Sequence, residues 1–374
     1  AALSNDGGDL SELLTDMNGV PLYSLITDNS AAVAANTVNI TTNAADIAAN
    51  TAAIAALPPA GLTAAEVDIQ TYASRWTSIT PSLTTGWKCI TWSPDLSLFC
   101  AQSSNGCMTS PDGRTWTTRS VGNKAWNSVV WSPDLSIFCS IASGSTNLIQ
   151  TSPDGTTWTA RTSAANQFWK SITWASGLTL FCGVSSDGTN RVVTSPDGTT
   201  WTLRSASEAN AWNSVTWSED LTLFCAVSSD GTNRVMTSPD GITWTARVAA
   251  EANAWQSVTY SPELSLFCAV SSDGTNRVMT SPDGITWTAR VAAAANEWQN
   301  ITWASGLNCF CAVSLTGTGN RIMTSSDGIT WSSQTSTEDN DWQGVTWSPE
   351  LYTFAAIASN GTNRLQITEA GTCC

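Results

Sequence analysis

The chain has 374 residues and a mass of 39.5 kDa, enough for one large domain and an appended segment. Only 12% of the residues are charged, the net charge is −15, and the three lysines are scattered along the sequence. Phosphate binding needs clustered Lys and Arg, so we expect no nucleic-acid partner. No apolar run reaches the roughly 20 residues that cross a bilayer, so no membrane insertion is expected. Histidine is absent, so we predict no metal site and no cofactor.

Residues 1–29 contain two short apolar patches, Leu10–Leu14 and Val20–Ile26, separated by Gly19. This length is too small for a hydrophobic core of its own. A docking segment and a frayed end both remain open, and we predict an attachment segment.

Residues 30–58 become Ala-rich and acquire a period of seven. Ser30 is a suitable N-cap, and Pro58-Pro59 ends the pattern. β-Branched residues at heptad position a and mainly Asn at d predict a helical coiled-coil stalk, in which buried Asn selects register and strand number. The predicted stalk core is Val33, Asn36, Ile40, Asn43, Ile47, Asn50, Ile54 and Leu57. The alternative is a single helix lying on a globular domain, but such a helix needs a wider apolar stripe.

The Ile/Val-x-x-Asn heptads of residues 33–57 resemble the trimeric stalks of bacteriophage tail fibres and of trimeric autotransporter adhesins. The resemblance implies a three-stranded coiled coil with inward Asn side chains, and therefore a homotrimer through residues 30–58. The autotransporter version needs a C-terminal membrane-anchor barrel, and the sequence up to Cys374 shows none, which favours the fibre. Residues 59–74 are predicted to be a linker.

Residues 75–374 contain a repeat of about 43 residues that predicts four strands per copy. In the clearest copy these are Trp212–Ser218, Leu221–Ser229, Arg234–Ser238 and Thr243–Arg247, with turn residues between them. The opening Trp recurs seven times, at Trp87, Trp126, Trp169, Trp212, Trp255, Trp298 and Trp342. The fold class is therefore predicted to be all-β, a seven-bladed β-propeller with four-stranded blades.

The ends of the repeat indicate how the ring closes. A second Trp, on the predicted outer strand, occurs only six times, because the last copy stops near Thr368. Arg75–Ile79 carries the missing Trp ahead of the first copy. We predict that this N-terminal strand completes the last blade.

The cysteines follow the repeat and do not form an obvious disulfide framework. Six of the eleven occupy one second-strand position, namely Cys100, Cys139, Cys182, Cys225, Cys268 and Cys311. Equivalent positions in neighbouring blades lie too far apart to bridge, so we predict buried thiols. Cys373-Cys374 is the exception, because a terminal pair could cross-link chains.

The motif Ser-Pro-Asp-Gly-x-Thr-Trp recurs in five copies, with a Ser326 variant in a sixth. It resembles the Asp-box of sialidase-type propellers, although it lacks the residue between Asp and Gly. The resemblance implies structural turns in which Asp bonds to the turn amides. Sialidase chemistry needs unlike groups with separated pKa values, whereas this chain repeats the same groups. We therefore expect no enzymatic activity.

The candidate ligand site is the face that carries the hairpins between second and third strands and the connections between blades. It repeats Asp, Asn, Arg and a nearby Trp, a set able to bind hydroxyl groups and to stack on sugars. The alternative is that these are hairpin residues and that Trp belongs to the core. The candidates are Asp187, Asn190, Arg191, Trp212, Asp230, Asn233, Arg234, Trp255, Asp273, Asn276 and Arg277.

Together these features predict a trimeric virion fibre, made in the host cytoplasm and displayed on the virion surface. Residues 1–29 would attach it to other virion structural proteins. The propeller heads would attach to a host-surface glycan or protein. The alternatives are a cellular propeller lectin and an assembly-factor propeller like those of photosystem II, neither of which needs a stalk.

Overall fold

The computed structural model describes residues 75–144 and 146–368, which form seven four-stranded antiparallel sheets. The first strands of neighbouring sheets contact one another in a closed ring, so each sheet is one blade of a seven-bladed β-propeller. This confirms the predicted propeller and its blade number. The predicted stalk, the segments on either side of it and Cys373-Cys374 lie outside the described residues.

Each blade runs from an inner strand at the central channel to an outer strand. The inner strands are β2 (Trp87–Ser93), β6 (Ala125–Ser132), β10 (Trp169–Ala175), β14 (Trp212–Ser218), β18 (Trp255–Ser261), β22 (Trp298–Ala304) and β26 (Trp342–Ser348). The second strands are β3 (Leu98–Ser103), β7 (Ile137–Ser143), β11 (Leu180–Ser185), β15 (Leu223–Ser228), β19 (Leu266–Ser271), β23 (Cys309–Ser314) and β27 (Thr353–Ala358). A short 3-10 helix, Ser176–Leu178, precedes β11.

The third and outer strands are shorter. The third strands are β4 (Cys107–Ser110), β8 (Ile149–Ser152), β12 (Val192–Ser195), β16 (Val235–Ser238), β20 (Val278–Ser281), β24 (Ile322–Ser325) and β28 (Leu365–Thr368). The outer strands are β5 (Thr117–Arg119), β9 (Thr159–Arg161), β13 (Thr202–Arg204), β17 (Thr245–Arg247), β21 (Thr288–Arg290), β25 (Ser332–Gln334) and β1 (Trp76–Ile79).

The second strands begin later than the apolar run predicted. In the clearest copy, strand β15 starts at Leu223, two residues after the predicted Leu221. The reason is the preceding turn, in which Thr222 takes a left-handed conformation with φ of 48°. Leu221 is apolar but is 38% exposed in this turn.

The ring closes through β1, as predicted. Strand β1 pairs antiparallel with β28, with Trp76 opposite Thr368 and Ile79 opposite Leu365. The ring of Trp76 lies 6.2 Å from that of Phe354, and in the first blade the equivalent Trp116 lies 6.1 Å from Phe99. The first strand of the described chain therefore supplies the outer strand of the last blade.

Aromatic residues fill the space between the blades. The seven opening Trp side chains are at most 2% exposed. A Phe on each second strand lies between a Trp or Tyr of the inner strand and the outer-strand Trp; in the first blade, the ring of Phe99 lies 4.5 Å from that of Trp92. Burial of these large rings is the main apolar contribution to the fold.

The recurring Ser-Pro-Asp-Gly turns are stabilised by their aspartates. Asp240 Oδ1 accepts hydrogen bonds from the backbone N–H groups of Ile242 and Thr243, at 2.8 and 2.9 Å. Trp244 Nε1 donates to Gly241 O at 3.2 Å, which fixes the ring over the turn. Partial desolvation raises the pKa of Asp240, but the backbone hydrogen bonds outweigh it and the pKa is lowered. These aspartates act as turn residues.

The nine cysteines of the described residues are free and buried. Burial raises the pKa of the repeated thiols, for example that of Cys182, so they carry little thiolate. The fold also brings two cysteines together that the sequence does not place in one motif. Cys100 and Cys107, on adjacent strands of the first blade, have sulfur atoms 3.9 Å apart.

Candidate functional site

One face of the propeller, the hairpin face, carries the hairpins between second and third strands together with the connections that enter each inner strand. The two kinds of loop are joined by hydrogen bonds. Asn210 Nδ2, in the connection, donates to Asn233 O of the hairpin at 2.7 Å. Ala211 N donates to Asp230 Oδ1 at 2.6 Å. The predicted arrangement of these loops on a single face is therefore present.

The predicted Asp and Asn residues are largely engaged in holding this face together. Asp187, Asp230 and Asp273 each accept a hydrogen bond from the backbone N–H that precedes an opening Trp. Asn233 and Asn276 donate side-chain N–H groups to Glu208 and Glu251 at 2.5 and 2.6 Å. Asn190 Oδ1 accepts from the Ser205 hydroxyl at 3.1 Å.

The predicted arginines bend back onto their own hairpins. Arg234 Nε donates to Gly231 O at 3.1 Å, and Arg234 Nη1 donates to Ser229 O at 3.0 Å. Arg191 and Arg277 make the equivalent bonds within their hairpins. Each guanidinium thus satisfies two carbonyl groups of a turn before it meets any ligand.

The two predicted Trp residues are placed in the core. Trp212 and Trp255 are both 0% exposed. Their Nε1 atoms donate to Glu208 O and Glu251 O, each at 3.1 Å. No ring face is open to a sugar, so the expected stacking on these residues is corrected to blade packing. The physical reason is the cost of leaving such a large apolar ring in water.

A cavity of about 230 Å³ occupies the central channel. Its rim consists of the side chain that follows each opening Trp, one from every blade. These residues are Lys88, Asn127, Lys170, Asn213, Gln256, Gln299 and Gln343. Gln256 Nε2 donates to Ser272 Oγ and Gln343 Nε2 donates to Ser359 Oγ, and both serines lie at hairpins. The rim therefore lies at the hairpin-face end of the channel.

Below the rim, the next residue of each inner strand links the blades. Ser171 Oγ accepts a hydrogen bond from Val215 N, and Ser214 Oγ accepts one from Val258 N, both at 3.2 Å. An equivalent bond forms at five of the seven junctions between described blades, with a serine hydroxyl as acceptor at four of them and Asn300 Oδ1 at the fifth. It satisfies inner-strand N–H groups that face the channel and have no neighbouring strand. Cys89 and Gly344 occupy the remaining two junctions.

The rim itself keeps hydrogen-bonding capacity. Asn127 and Asn213 donate to carbonyl groups of the next blade, Trp169 O and Trp255 O. Lys170 and Gln299 have no hydrogen-bond partner among residues 75–144 and 146–368. Partial desolvation and repulsion from Lys170 lower the pKa of Lys88, against the weaker opposing effect of Asp341.

The described part of the chain contains no group of three or more Cys, Asp or Glu residues arranged to hold a metal ion. Within the same residues no helix is long and apolar enough to cross a membrane. What the rim can do chemically is to bind hydroxyl, amide and anionic groups. The channel rim was not among the sites predicted from the sequence, although its pattern is visible there. In all seven copies an amide or ammonium side chain directly follows the opening Trp.

No protein-family model matches the chain, and no curated protein matches it in sequence. The fold is similar to several solved propellers. A streptogramin B lyase has a TM-score of 0.68 at 12% identity, covering 78% of this chain and 96% of that chain. A structure of YCF48 bound to D1 peptide has a TM-score of 0.61 at 14% identity, covering 80% of this chain and 96% of that chain. A chain of a mitotic checkpoint complex has a TM-score of 0.58 at 14% identity, covering 80% and 92%. These proteins differ in function, so the likeness concerns the fold alone.

Proposed function

We propose that this protein is a non-catalytic attachment fibre of a virion, whose propeller head binds glycans at the channel rim on the hairpin face. The observation that carries the proposal is the rim itself. Five amide and two ammonium side chains converge there around one cavity. Amide groups pair with sugar hydroxyls, and an array of such groups gives weak, geometry-dependent recognition.

Binding is favoured over catalysis because the rim repeats similar groups. A general acid and a general base need environments that separate their pKa values. Around the rim, the amides do not titrate, and the two titratable side chains are both lysines. The carboxylates of the hairpin face, such as Asp230 and Glu208, accept several hydrogen bonds that hold loops in place. Neither Asp230 nor Glu208 lines the cavity, so neither carboxylate is placed to donate a proton there.

The fibre part of the proposal rests on the heptads of residues 30–58. A homotrimer would carry three heads, and linking weak sites typically raises overall avidity by about 10²–10⁴-fold when the geometry allows. Residues 1–29 would dock onto other virion structural proteins, with the heads on the virion surface. A single head is then expected to bind glycans only in the millimolar range, roughly −4 kcal/mol or weaker.

The test uses the full chain. Native mass spectrometry measures its oligomeric state, and a glycan array, read with the full chain and with a head fragment, measures binding and avidity. The proposal expects a trimer that binds glycans and a head fragment that binds the same glycans far more weakly. A monomer that binds glycans would instead favour a cellular lectin. A trimer that binds no glycan or cell surface would make the head a spacer.

Asn213→Ala and Gln256→Ala probe the rim. Each should weaken glycan binding severalfold while leaving the melting temperature close to that of the wild type, because both side chains are only partly buried. The matched control is Asn233→Ala, on the same face but away from the channel. Equal losses for rim and control variants would argue against the rim as the site.

A further inference from the structure

The three lysines, scattered in the sequence, lie on one face of the folded protein. Lys88 and Lys170 belong to the channel rim in the first and third blades. Lys124, in the connection that enters the second blade, donates to Thr146 Oγ1 in the hairpin of that blade at 3.4 Å. The fold therefore gathers every ammonium side chain of the protein onto the hairpin face of three consecutive blades.

None of these ammonium groups is neutralised by a carboxylate. Within residues 75–144 and 146–368, the ion pairs are those of Arg321 with Asp339 and Asp341, at 3.7 and 3.2 Å. Lys88 Nζ donates only to Gln343 Oε1, at 3.4 Å, and Lys170 has no hydrogen-bond partner there. Lys88 is exposed and Lys170 is partly buried, so both ammonium groups remain open to an anion from outside the protein.

The charges of the hairpin face are divided between two sectors. In the first three blades, Asp187 is the carboxylate of the hairpins, and it is occupied by Phe168 N and the Ser185 hydroxyl. The later blades carry the remaining carboxylates of this face. These are Glu208, Asp230, Glu251, Asp273, Glu297, Glu338, Asp339 and Asp341. Asp341, in the neighbouring last blade, acts on Lys88, so an anion at the rim meets the least repulsion on the Lys170 side.

An exposed aromatic residue lies close to Lys170 in the chain, outside the residues that line the cavity. Phe168 directly precedes the opening Trp of the third blade and is 52% exposed. The equivalent residue in the other blades is small or acidic, as Ala211 and Asp341 show. A Phe left in water at a binding face offers an apolar surface on which a sugar ring can stack. It lies two residues before Lys170.

We infer that the channel rim at the first three blades binds carboxylated sugars, with the carboxylate at Lys88 and Lys170 and the sugar ring against Phe168. The inference rests on the proposed glycan-binding function and names its ligand class. Asn127 and Gln299 would bind hydroxyl groups on either side. The cavity of about 230 Å³ is smaller than the roughly 300–1,000 Å³ typical of pockets for drug-sized ligands, so it suits one charged end group.

The net charge of −15 does not prevent such binding. Charges separated by more than about 8 Å are largely screened at physiological ionic strength, whereas direct ammonium–carboxylate contacts inside a channel are screened much less.

The experiment compares a galacturonate trisaccharide with its methyl ester, in which each carboxylate is replaced by an uncharged ester group. Binding to the full chain is measured by ligand-observed NMR and calorimetry. We expect the acid to bind at least 10-fold more tightly than the ester. The double variant K88Q/K170Q should lose this preference, and F168A should weaken binding of both ligands severalfold. These substitutions are conservative for the fold, because other blades carry Gln and Ala at the same positions.

K124Q is the matched control, since it removes the same charge from the same face but outside the rim, and it should change the affinity less than twofold. Equal binding of acid and ester by the wild type would overturn this inference and leave the proposed glycan binding intact. An unchanged preference in K88Q/K170Q would overturn it as well. Absence of binding by the trisaccharide, its ester and every glycan of the array would overturn both proposals.

Discussion

Closure of the ring by β1 can be tested with Trp76→Ala. Trp76 stands where the other blades place their outer-strand Trp, and its ring stacks on Phe354 at 6.2 Å. Truncation of a fully buried Trp or Phe to Ala costs about 3–5 kcal/mol. Because Trp76 is half-buried, we expect a loss of about 2 kcal/mol. For a domain of this size, with an unfolding entropy of about 2.1 cal/mol/K per residue, that corresponds to a drop of roughly 3 °C in Tm.

The matched control is Trp116→Ala, the equivalent change in the first blade. Trp116 is 7% exposed, so its truncation should cost more, about 4 kcal/mol. The two variants should differ in a second respect. The strand after Trp116, β5, follows the other strands of its blade directly in the chain. Strand β1 is distant in the chain from the last blade and joins it only by pairing with β28. Only W76A should therefore release a strand and expose the edge of β28 to other chains.

Thermal unfolding followed by circular dichroism measures the loss of stability, and size-exclusion chromatography at several concentrations detects edge-to-edge association. Deletion of residues 67–79, which removes β1 entirely, should increase both effects. A W76A protein that melts with the wild type, or a deletion variant that stays as stable and as monodisperse as the parent chain, would refute closure by β1.

Four further outcomes are expected. The pKa values of four turn aspartates are lowered, because turn hydrogen bonds outweigh their partial desolvation; these are Asp112, Asp240, Asp283 and Asp327. Their stabilising effect is complete above the unfolded pKa of about 3.9 and is lost as the pH falls through the folded pKa values. The Tm should therefore drop below about pH 4, and a Tm that does not change with pH would contradict this. The repeated thiols should react slowly with a thiol reagent in the folded state, and mass spectrometry of the unreduced, denatured chain should show no disulfide among Cys182, Cys225 and Cys268. Arg234→Ala with Arg277→Ala should lower Tm by a few degrees, since each side chain holds two hairpin carbonyls, but it should leave glycan binding at the rim little changed. A large loss of binding would move the site onto the hairpins. Asn43→Ile should stabilise the predicted stalk while loosening its choice of partner number, as native mass spectrometry would show, and a monomeric parent chain would exclude the stalk.

The sequence determined the propeller because the repeat is nearly complete in every copy. The count of opening Trp residues gives seven blades, and the missing outer Trp, supplied by Trp76, gives the closure. The alternation of apolar and polar residues and the turn residues are local properties of the sequence. They therefore predict the ends of strands to within two residues, as at Leu223. The repeated position of Cys225 likewise placed it in the core.

The tertiary structure decided what the repeated residues do. A Trp in a repeat is equally compatible with packing and with stacking on a ligand, and only the contact of neighbouring blades buried Trp212 completely. The hairpin arginines look available in sequence, but the turn brings carbonyl oxygens within reach of Arg234. Burial and hydrogen bonding depend on neighbours that are distant in the chain.

The lysines show most clearly how the tertiary structure adds to what the sequence indicates. In sequence Lys88, Lys124 and Lys170 lie far apart and indicate nothing. Because a propeller arranges its repeats around an axis, equivalent residues of all the repeats line one ring, and Lys88 and Lys170, two blades apart, come close enough for their charges to interact. Composition fixed how many lysines the protein has, while the closed ring decided that Lys88 and Lys170 meet at one opening.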